Sequence, residues 1–576
     1  MKKLTSLVLA TGMVLSLAAC GGSGSSTAAS TTNTGDSTAT TDTAAADESN
    51  LGYEYGEHFH SDEPVTYTMF FNDNPAYPMN DKWISEGIFK AIEDATNVHL
   101  ELTVVDNSNY TDKVSLAVSS GTAPYIIPKI YTETAYVTGG VVPVSDYVQY
   151  MPNYSNFVEE YNMQDDLATI TQADGKYYRL PGLKETALQD YTFLIRKDIF
   201  DAAGYDVAEL EKDWTWDEFA DVLIGVKQYM VEQGMCGEND YIWSDMWCGQ
   251  TSGYGQGGNL LKLLGASYDI NTGWAITTNY GLVYDADSDS FVDGSVSDKY
   301  KQAYTVLQKL VQNKVLDPET WTQDDDTALN KFYRGETAIM STNRAQYAVQ
   351  DAKVKEQLGE GNYELYRILT PIGTSDYQAE NQRLECGIMI SSNALKELGE
   401  DEFIKMMRFV DWLWYSDEGL TLTKWGKEGE TYTVTDGTYS LTPGYYCKGL
   451  SIGQTSDDQV DLREELGYAC GNFMYGGNTE LLTSNFTDDL RDFYDRQGQY
   501  RKLRPLDPTV TFDEDQLEML NLWGTPMTDT VNAWTCKFAM NQADINNDWD
   551  TYVAEVEAQN MQNIVDMYND TYNASK

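Results

Sequence analysis

Val65-Thr66-Tyr67-Thr68-Met69-Phe70-Phe71 and, further along, Val98-His99-Leu100-Glu101-Leu102-Thr103-Val104 are the two runs whose reading decides the fold. The first alternates and then becomes continuously apolar; the second alternates apolar with polar, and both read as strands. Between them, the turn-rich Asn72-Asp73-Asn74-Pro75-Ala76-Tyr77-Pro78 ends the first strand and Asn80 is suited to cap a helix, in which Ile84, Ile88, Ile92 and Ala95 recur at helical spacing. The unit is strand-helix-strand, with a right-handed crossover expected between parallel strands. A helix from Tyr110 to Ser119 and a short apolar run at Tyr125 to Ile130 continue the rhythm. The expectation is an α/β body built on a largely parallel sheet.

Outward toward the N-terminus the reading changes character. Lys2 and Lys3 precede an apolar stretch from Leu4 to Leu17, followed by Leu17-Ala18-Ala19-Cys20. That is a secretion signal over 1–19, too short to span a membrane, and the Cys after two small residues resembles the lipobox of bacterial lipoproteins, which implies lipidation of Cys20. Gly21 to Asn50 is dominated by Gly, Ser, Thr, Ala and Asp without a large apolar residue, so 20–60 is expected to be a lipid-bearing, solvated tether. No later apolar run has spanning length, leaving the lipid as the expected membrane attachment.

The chain carries 39 Lys and Arg against 90 Asp and Glu, a net charge of −51. Phosphate backbones would repel it, since binding them relies on basic side chains displacing counterions, so a nucleic-acid partner is excluded. Six cysteines remain after Cys20, and Cys236 with Cys248 and Cys447 with Cys470 are the neighbours most open to pairing. No C-x-x-C spacing occurs and the histidines are His58, His60 and His99, so neither metal nor cofactor is expected.

Thr215-Trp216-Asp217-Glu218 is a capping box, with Trp214 and Phe219 at the positions of a hydrophobic staple. Ser297 to Asn313, Glu402 to Tyr415 and Trp549 to Tyr572 also show helical apolar spacing. Four stretches then carry a resemblance. Gly139-Gly140-Val141-Val142-Pro143-Val144-Ser145-Asp146 looks like "G-G-hydrophobic-hydrophobic-P-L-D", and Asp174-Gly175-Lys176-Tyr177-Tyr178-Arg179-Leu180-Pro181 is similar to "D-G-K-x-Y-G-L-P". Leu194-Ile195-Arg196-Lys197-Asp198 with Gly204 resembles "hydrophobic-R-K-D-W-L-D-K-L-G" before "T-W-D-E-F", and Asp411-Trp412-Leu413-Trp414-Tyr415-Ser416-Asp417-Glu418-Gly419 resembles "D-W-L-Y-S-x-E-G". In this order they resemble the extracellular solute-binding lipoproteins of ABC importers, in the branch that mostly binds oligosaccharides.

The resemblance implies a two-lobed α/β architecture, the type 2 periplasmic-binding-protein fold, with hinge strands between the lobes. It places 61–193 plus 338–425 in the first lobe and 194–337 plus 426–576 in the second, with crossings near Tyr191 to Arg196, Thr337 to Asn343 and after Trp425. It implies a monomer on the outer face of the cytoplasmic membrane that delivers its solute to the importer's permease. Several relatives carry a calcium loop after the Thr-Trp-Asp-Glu-Phe helix; Gly234-Met235-Cys236-Gly237-Glu238-Asn239-Asp240 has too few carboxylates to carry it over.

Asp285 to Gly294 places carboxylates at alternate positions but lacks the Gly and closing Glu of a calcium loop, and reads as a hairpin tip. Gly253-Tyr254-Gly255-Gln256-Gly257-Gly258 satisfies G-x-G-x-x-G without the preceding buried strand a dinucleotide site needs, and reads as a flexible loop before a helix from Asn259 to Leu264. With so few histidines, nucleophilic triads have little to use. Paired carboxylates keep an extracellular glycoside hydrolase as the alternative, and a peptide remains possible as the solute. In an open α/β sheet the ligand sits beyond the strands' carboxyl ends. There the amides and carboxylate of Asn72 and Asp73 lie beside Tyr77, and Tyr131, Trp243, Trp247 and Tyr254 offer further rings for a pyranose face, with Arg344 beyond the returning strand. The expected function is capture of a carbohydrate, not catalysis.

Overall fold

The computed structural model describes residues 52–132, 139–249, 257–273, 276–380, 382–473 and 475–576. β1 (Val65–Asp73) and β2 (Val98–Asp106) pair in parallel from Val65 opposite Val98 to Asp73 opposite Asp106. β3 (Ile126–Ile130) lies parallel on the other side of β1, and β11 (Leu384–Ile390) runs antiparallel between β3 and β4 (Leu180–Leu183). The order is β2-β1-β3-β11-β4, so the sheet is parallel except for β11.

The expected single helix between β1 and β2 is two, Asp81–Ser85 and Ile88–Thr96, the first capped by Asn80, whose side chain accepts from the Lys82 N–H at 2.9 Å. The break falls at Gly87, where a Cβ would stand 2.1 Å from the carbonyl oxygen of Leu466. Another segment presses on the backbone there, and Ile84 is left exposed.

The sheet and the helices Ile88–Thr96, Pro152–Glu160 and Glu400–Tyr415 enclose a first core that contains Trp83, Phe409, Trp412 and Trp414. Burying such rings is the main stabilising term available to the chain. Inside it, the Asp411 carboxylate accepts from the N–H groups of Asn153 (3.0 Å) and Tyr154 (2.8 Å), holding the start of the helix Pro152–Glu160 against the helix Glu400–Tyr415.

A second core forms around β5 (Thr192–Arg196), which pairs antiparallel with β8 (Ile339–Thr342) and β9 (Leu365–Ile368). The capping box is present: Thr215 Oγ1 accepts from the Glu218 N–H at 3.3 Å, Glu218 Oε2 accepts from the Thr215 N–H at 2.8 Å, and the helix Trp216–Glu232 follows. The rings of Trp214 and Phe219 meet with centroids 4.5 Å apart, as a staple requires. Tyr300 and Tyr304 of the helix Asp298–Gln312 stack at 4.1 Å, and Tyr552 of the helix Trp549–Glu557 joins them. The helices Glu514–Ala539 and Met561–Ala574 close this side. β6 (Leu282–Asp285) and β7 (Ser290–Asp293) make the hairpin read from Asp285 to Gly294, with Asp289 at its tip accepting from Tyr284 and Lys576. No helix among the described residues is long and apolar enough to cross a membrane.

The division of the chain between the cores differs from the sequence reading in two places. Residues 338–378 were assigned to the first lobe, but β8 pairs with β5, and Ile339 and Ile368 lie in the second core. Residues 426–481 were assigned to the second lobe, but Tyr432, Cys447, Leu450, Tyr468, Phe473 and Tyr475 are buried in the first. That segment contains the hairpin β12 (Tyr432–Thr435) with β13 (Thr438–Leu441) and the short pair β14 (Tyr445–Tyr446) with β15 (Val460–Asp461). It is fastened to the sheet by Asn472, whose Oδ1 accepts from the Asn72 N–H at 3.0 Å while its Nδ2 donates to the Asn72 carbonyl at 2.9 Å. The chain therefore passes between cores at 184–191, between β9 and β11, and after 481. The last two passages are joined where β10 (Tyr377–Glu380) pairs in parallel with β16 (Lys502–Arg504).

The third passage is the helix Asp488–Tyr500, and a buried carboxylate anchors it. Glu211 is fully buried, accepts from the Tyr366 hydroxyl and the Leu369 N–H at 2.8 Å each, and pairs with Arg496 of that helix. Arg501 completes the knot, donating to the carbonyls of Glu211 and Thr370 at 2.7 Å each. The cysteine pairings considered above do not form: Cys236 lies 3.4 Å from Lys227 Nζ, Cys248 is buried beside the Gly257 carbonyl, and Cys447 and Cys470 are buried without a bridge.

Burial pushes the carboxyls of Asp411 up to about 7 and of Asp245 and Asp293 up to about 6. Their unfolded values lie near 4, so the folded chain retains protons that the unfolded chain has released across that window, and stability falls as pH rises through it. The thermal midpoint is accordingly expected to be higher at pH 5 than at pH 8, by calorimetry in matched ionic strength; a midpoint that climbs with pH contradicts the assignment.

Candidate ligand-binding cleft

A cavity of about 770 Å³ lies between the two cores. From the first core it is lined by Tyr131, just past β3, by Arg179 and Lys184 at the two ends of β4, and by Glu385 and Cys386 on β11. From the second it is lined by Lys262 of the helix Gly258–Tyr268, Asn271 after it, Arg504 at the end of β16 and Tyr568 of the C-terminal helix. A second cavity of about 300 Å³ shares Lys184, Lys262, Gln382 and Glu385 with the first and continues to Asp190, Arg344, Lys424 and Tyr494. The crevice thus follows the passages of the chain from one core to the other, and its size is that of small-molecule sites.

Local geometry sets the wall at β4. A Cβ on Gly182 would stand 1.7 Å from the Tyr475 carbonyl oxygen, and Gly476, at φ +144, would place one 2.1 Å from that of Leu183. Only glycine lets 475–477 lie this close, and the contact is sealed where the Gly477 N–H donates to the Leu183 carbonyl at 2.8 Å. This brings Lys184 to Glu385, 3.2 Å away, while Arg179 Nη1 donates to the Glu385 carbonyl at 2.8 Å.

Across the cleft Arg504 is held by Asp269 at 2.9 Å and Asp507 at 3.0 Å. Arg383 pairs with Asp166 at the rim. Lys424 Nζ donates to the carbonyls of Leu481 and Leu482, and burial together with neighbouring Arg344 holds its ammonium well below the usual lysine range. The Cys386 thiol is pushed up to about 11 by burial, which removes its nucleophilicity at neutral pH. The histidines are occupied away from the cleft: His58 and His60 on the Ala95 carbonyl and His99 on Glu93. The lining can form hydrogen bonds and ion pairs and can stack on rings.

The sequence-expected residues separate into groups. Tyr131 lines the larger cavity and is 62% exposed; Arg344 lines the smaller. Tyr77 lies under the Arg463 guanidinium at 3.9 Å, outside the lining of both. Asn72 is buried at the strand end, and Asp73 Oδ1 accepts from the Met79 N–H at 2.8 Å, so both serve the turn and sheet edge in this structure. Trp243 requires correction: it is 0% exposed in the second core, with its ring against Phe193 at 5.1 Å. Trp247 is also packed inward, its ring 5.6 Å from that of Tyr191. Tyr254 lies outside the described residues. Arg179, Lys184, Lys262, Glu385 and Arg504 were missed. A signal existed for Arg179, which stands where the "D-G-K-x-Y-G-L-P" pattern has glycine.

Comparison with known proteins gives the following. A model of the bacterial extracellular solute-binding protein family matches residues 87–406. Lipoprotein LipO of Bacillus subtilis is 20% identical over 355 residues, 61% of this chain and 65% of that protein, so the chain spans less than two thirds of that relative. Among solved structures, an HMO-binding solute-binding protein associated with an ABC transporter of Bifidobacterium longum infantis superposes with a TM-score of 0.66 at 16% identity, covering 89% of this chain and 99% of that one. The ABC-transporter substrate-binding protein FusA of Streptococcus pneumoniae, in complex with kestose, gives 0.60 at 18% identity, covering 89% and 100%. At these identities the likeness to the solved structures is one of fold.

Core and cleft residues are distinguishable by unfolding in urea. Trp243→Ala is expected to cost about 3–5 kcal/mol, whereas Tyr131→Ala stays within about 0.5 kcal/mol of the parent. Equal losses at the two positions would place Tyr131 in a packed interior.

Proposed function

Since this chain belongs to the bacterial extracellular solute-binding protein family, we propose that it captures an oligosaccharide in the cleft between its two cores and presents it to the permease of an ABC importer. The observation that carries this reading is the cavity of about 770 Å³ at the passages between the cores, lined by paired polar groups and an exposed tyrosine. Sugars are held by planar donors and acceptors on their hydroxyls and by rings on their apolar faces, and the cleft supplies both. Proteins of the same fold are described as binding HMO and kestose, which supports a saccharide.

The mechanism is population shift. The passages at 184–191, between β9 and β11, and after 481 act as the hinge; a ligand that touches both walls stabilises the closed arrangement by contacts the open one lacks. The permease reads the closed state. No bond of the solute is broken, so the protein is a carrier and not an enzyme. Cys20, lipid-modified after signal cleavage, holds the carrier at the outer face of the membrane, and the polar stretch from Gly21 to Asn50 gives it reach. The tether stops short of the residue 60 expected from the sequence, because Tyr53 and Phe59 are buried in the first core.

Titration calorimetry with a panel of oligosaccharides is expected to find a binder, and small-angle scattering to show a smaller radius of gyration on its addition. Tyr131→Ala should weaken binding about tenfold, the size of one ring contact. If every glycan is silent in calorimetry while its chain is shortened on incubation, a glycosidase replaces this reading.

A further inference from the structure

The distribution of charge identifies the solute further. Over the whole chain acids outnumber bases, 90 to 39. Along the described lining of the two cavities the ratio reverses, with seven basic side chains, among them Lys184, Lys262, Arg344 and Lys424, facing four carboxylates. Three of those carboxylates are already engaged: Asp166 by Arg383, Glu385 by Lys184 and Asp507 by Arg504. The fourth, Asp190, accepts from the backbone N–H of Arg344 at 3.2 Å. A protein that carries so few cations and concentrates them in its crevice has spent them on something negative.

Arg344 and Lys424 are the informative pair. The Arg344 guanidinium lies 5.5 Å from the Phe486 ring centroid, and the Lys424 ammonium, 9% exposed as a residue, donates only to backbone carbonyls. Neither forms an ion pair with a carboxylate among the described residues. Two cations facing one small cavity repel each other, and a buried charge without a counter-ion is costly, so the pair is electrostatically suited to an anion between them. Burial and Arg344 drive Lys424 toward its neutral form; an anion placed between them opposes that. Lys129, two residues before the lining residue Tyr131, adds a further cation near the larger cavity. Its Nζ lies over the rings of Tyr131 and Tyr475 at 5.4 and 6.0 Å, and its backbone sits at φ +61, a conformation of the kind retained at functional sites.

We propose that the cleft selects an acidic oligosaccharide, one bearing carboxylate or sulfate groups, with an anionic group seated between Arg344 and Lys424 and a sugar ring on Tyr131. This rests on the oligosaccharide reading above and adds the charge of the ligand to it. The smaller cavity takes the anionic end, and the larger, reached past the shared Lys184 and Glu385, takes the following units. The acidic exterior then repels stray acidic chains, and what binds must be gripped at short range.

The test is calorimetry on the full chain with three probes: an α-1,4-linked galacturonate trimer, the galactose trimer made by reducing its carboxyls, and a sulfated chondroitin disaccharide. An acidic probe is expected to bind, with the trimer's reduced counterpart at least about thirtyfold weaker if carboxylate is the group recognised, and with affinity falling about tenfold between 50 and 500 mM NaCl. Arg344→Gln should lower the acidic probe's affinity about tenfold with an unchanged melting temperature. Lys424→Met should do the same, and if it fails to fold, Arg344→Gln alone decides. Preference for the uronate or for the sulfated probe distinguishes the two sources of charge. If the neutral trimer binds as well as the acid or better, or if salt and Arg344→Gln leave acidic binding unaltered, the charge inference is overturned while the oligosaccharide reading stands. If no saccharide of either kind binds, the oligosaccharide reading itself falls.

Discussion

Glu211 is the point on which the two-core arrangement turns. A carboxylate without access to water must be fully hydrogen-bonded, and this one gathers a hydroxyl and a backbone N–H from the segment of β9 and a guanidinium from a helix more than a hundred residues further on. Because Arg496 belongs to the helix Asp488–Tyr500, satisfying Glu211 also fixes that helix on the second core. Arg501, one residue past it, then aims the chain into β16. From there β16 pairs with β10, and Arg504 at its end lines the cleft. The knot lies wholly on the second core, so it fixes the third passage from that side.

What could be read from the sequence was whatever local chemistry determines. The β1-helix-β2 unit, the capping box at Thr215, the staple of Trp214 and Phe219, and the helix ending at Tyr415 all depend on residues a few positions apart. What could not be read depends on distant partners. Residues 426–481 carry nothing that assigns them to the first core; Asn472 meeting Asn72 does so. The same holds for Trp243, since a tryptophan beside a glycine-rich loop looks identical whether it faces a ligand or Phe193. Charged lining residues such as Lys184 and Lys262 were invisible for a complementary reason: single lysines have no pattern, and only the meeting of two walls makes them a group.

The family-like stretches sit at joints and seldom at the lining. Val142 of the Gly139 stretch donates its N–H to the Ile390 carbonyl at 2.8 Å, binding it to the end of β11. The Asp411 stretch places its carboxylate on the helix Pro152–Glu160, and Ser416 caps the next helix by accepting from the Gly419 N–H at 3.0 Å. Asp198 holds Arg196 at 2.7 Å, just where β5 becomes a helix. These residues hold the cores together, whereas most of the cleft lining lies outside the four stretches. Arg179, in one such stretch and also in the cleft, is where the two requirements overlap.

The reciprocal bond between Asn72 and Asn472 joins residues 400 positions apart. A ribosome that has made β1 must add some 400 further residues before Asn472 exists, so the first core is completed late in synthesis. By then β5, β8 and β9 of the second core have already been made, so the core that the chain begins first is still open when the three-stranded sheet of the other exists in full.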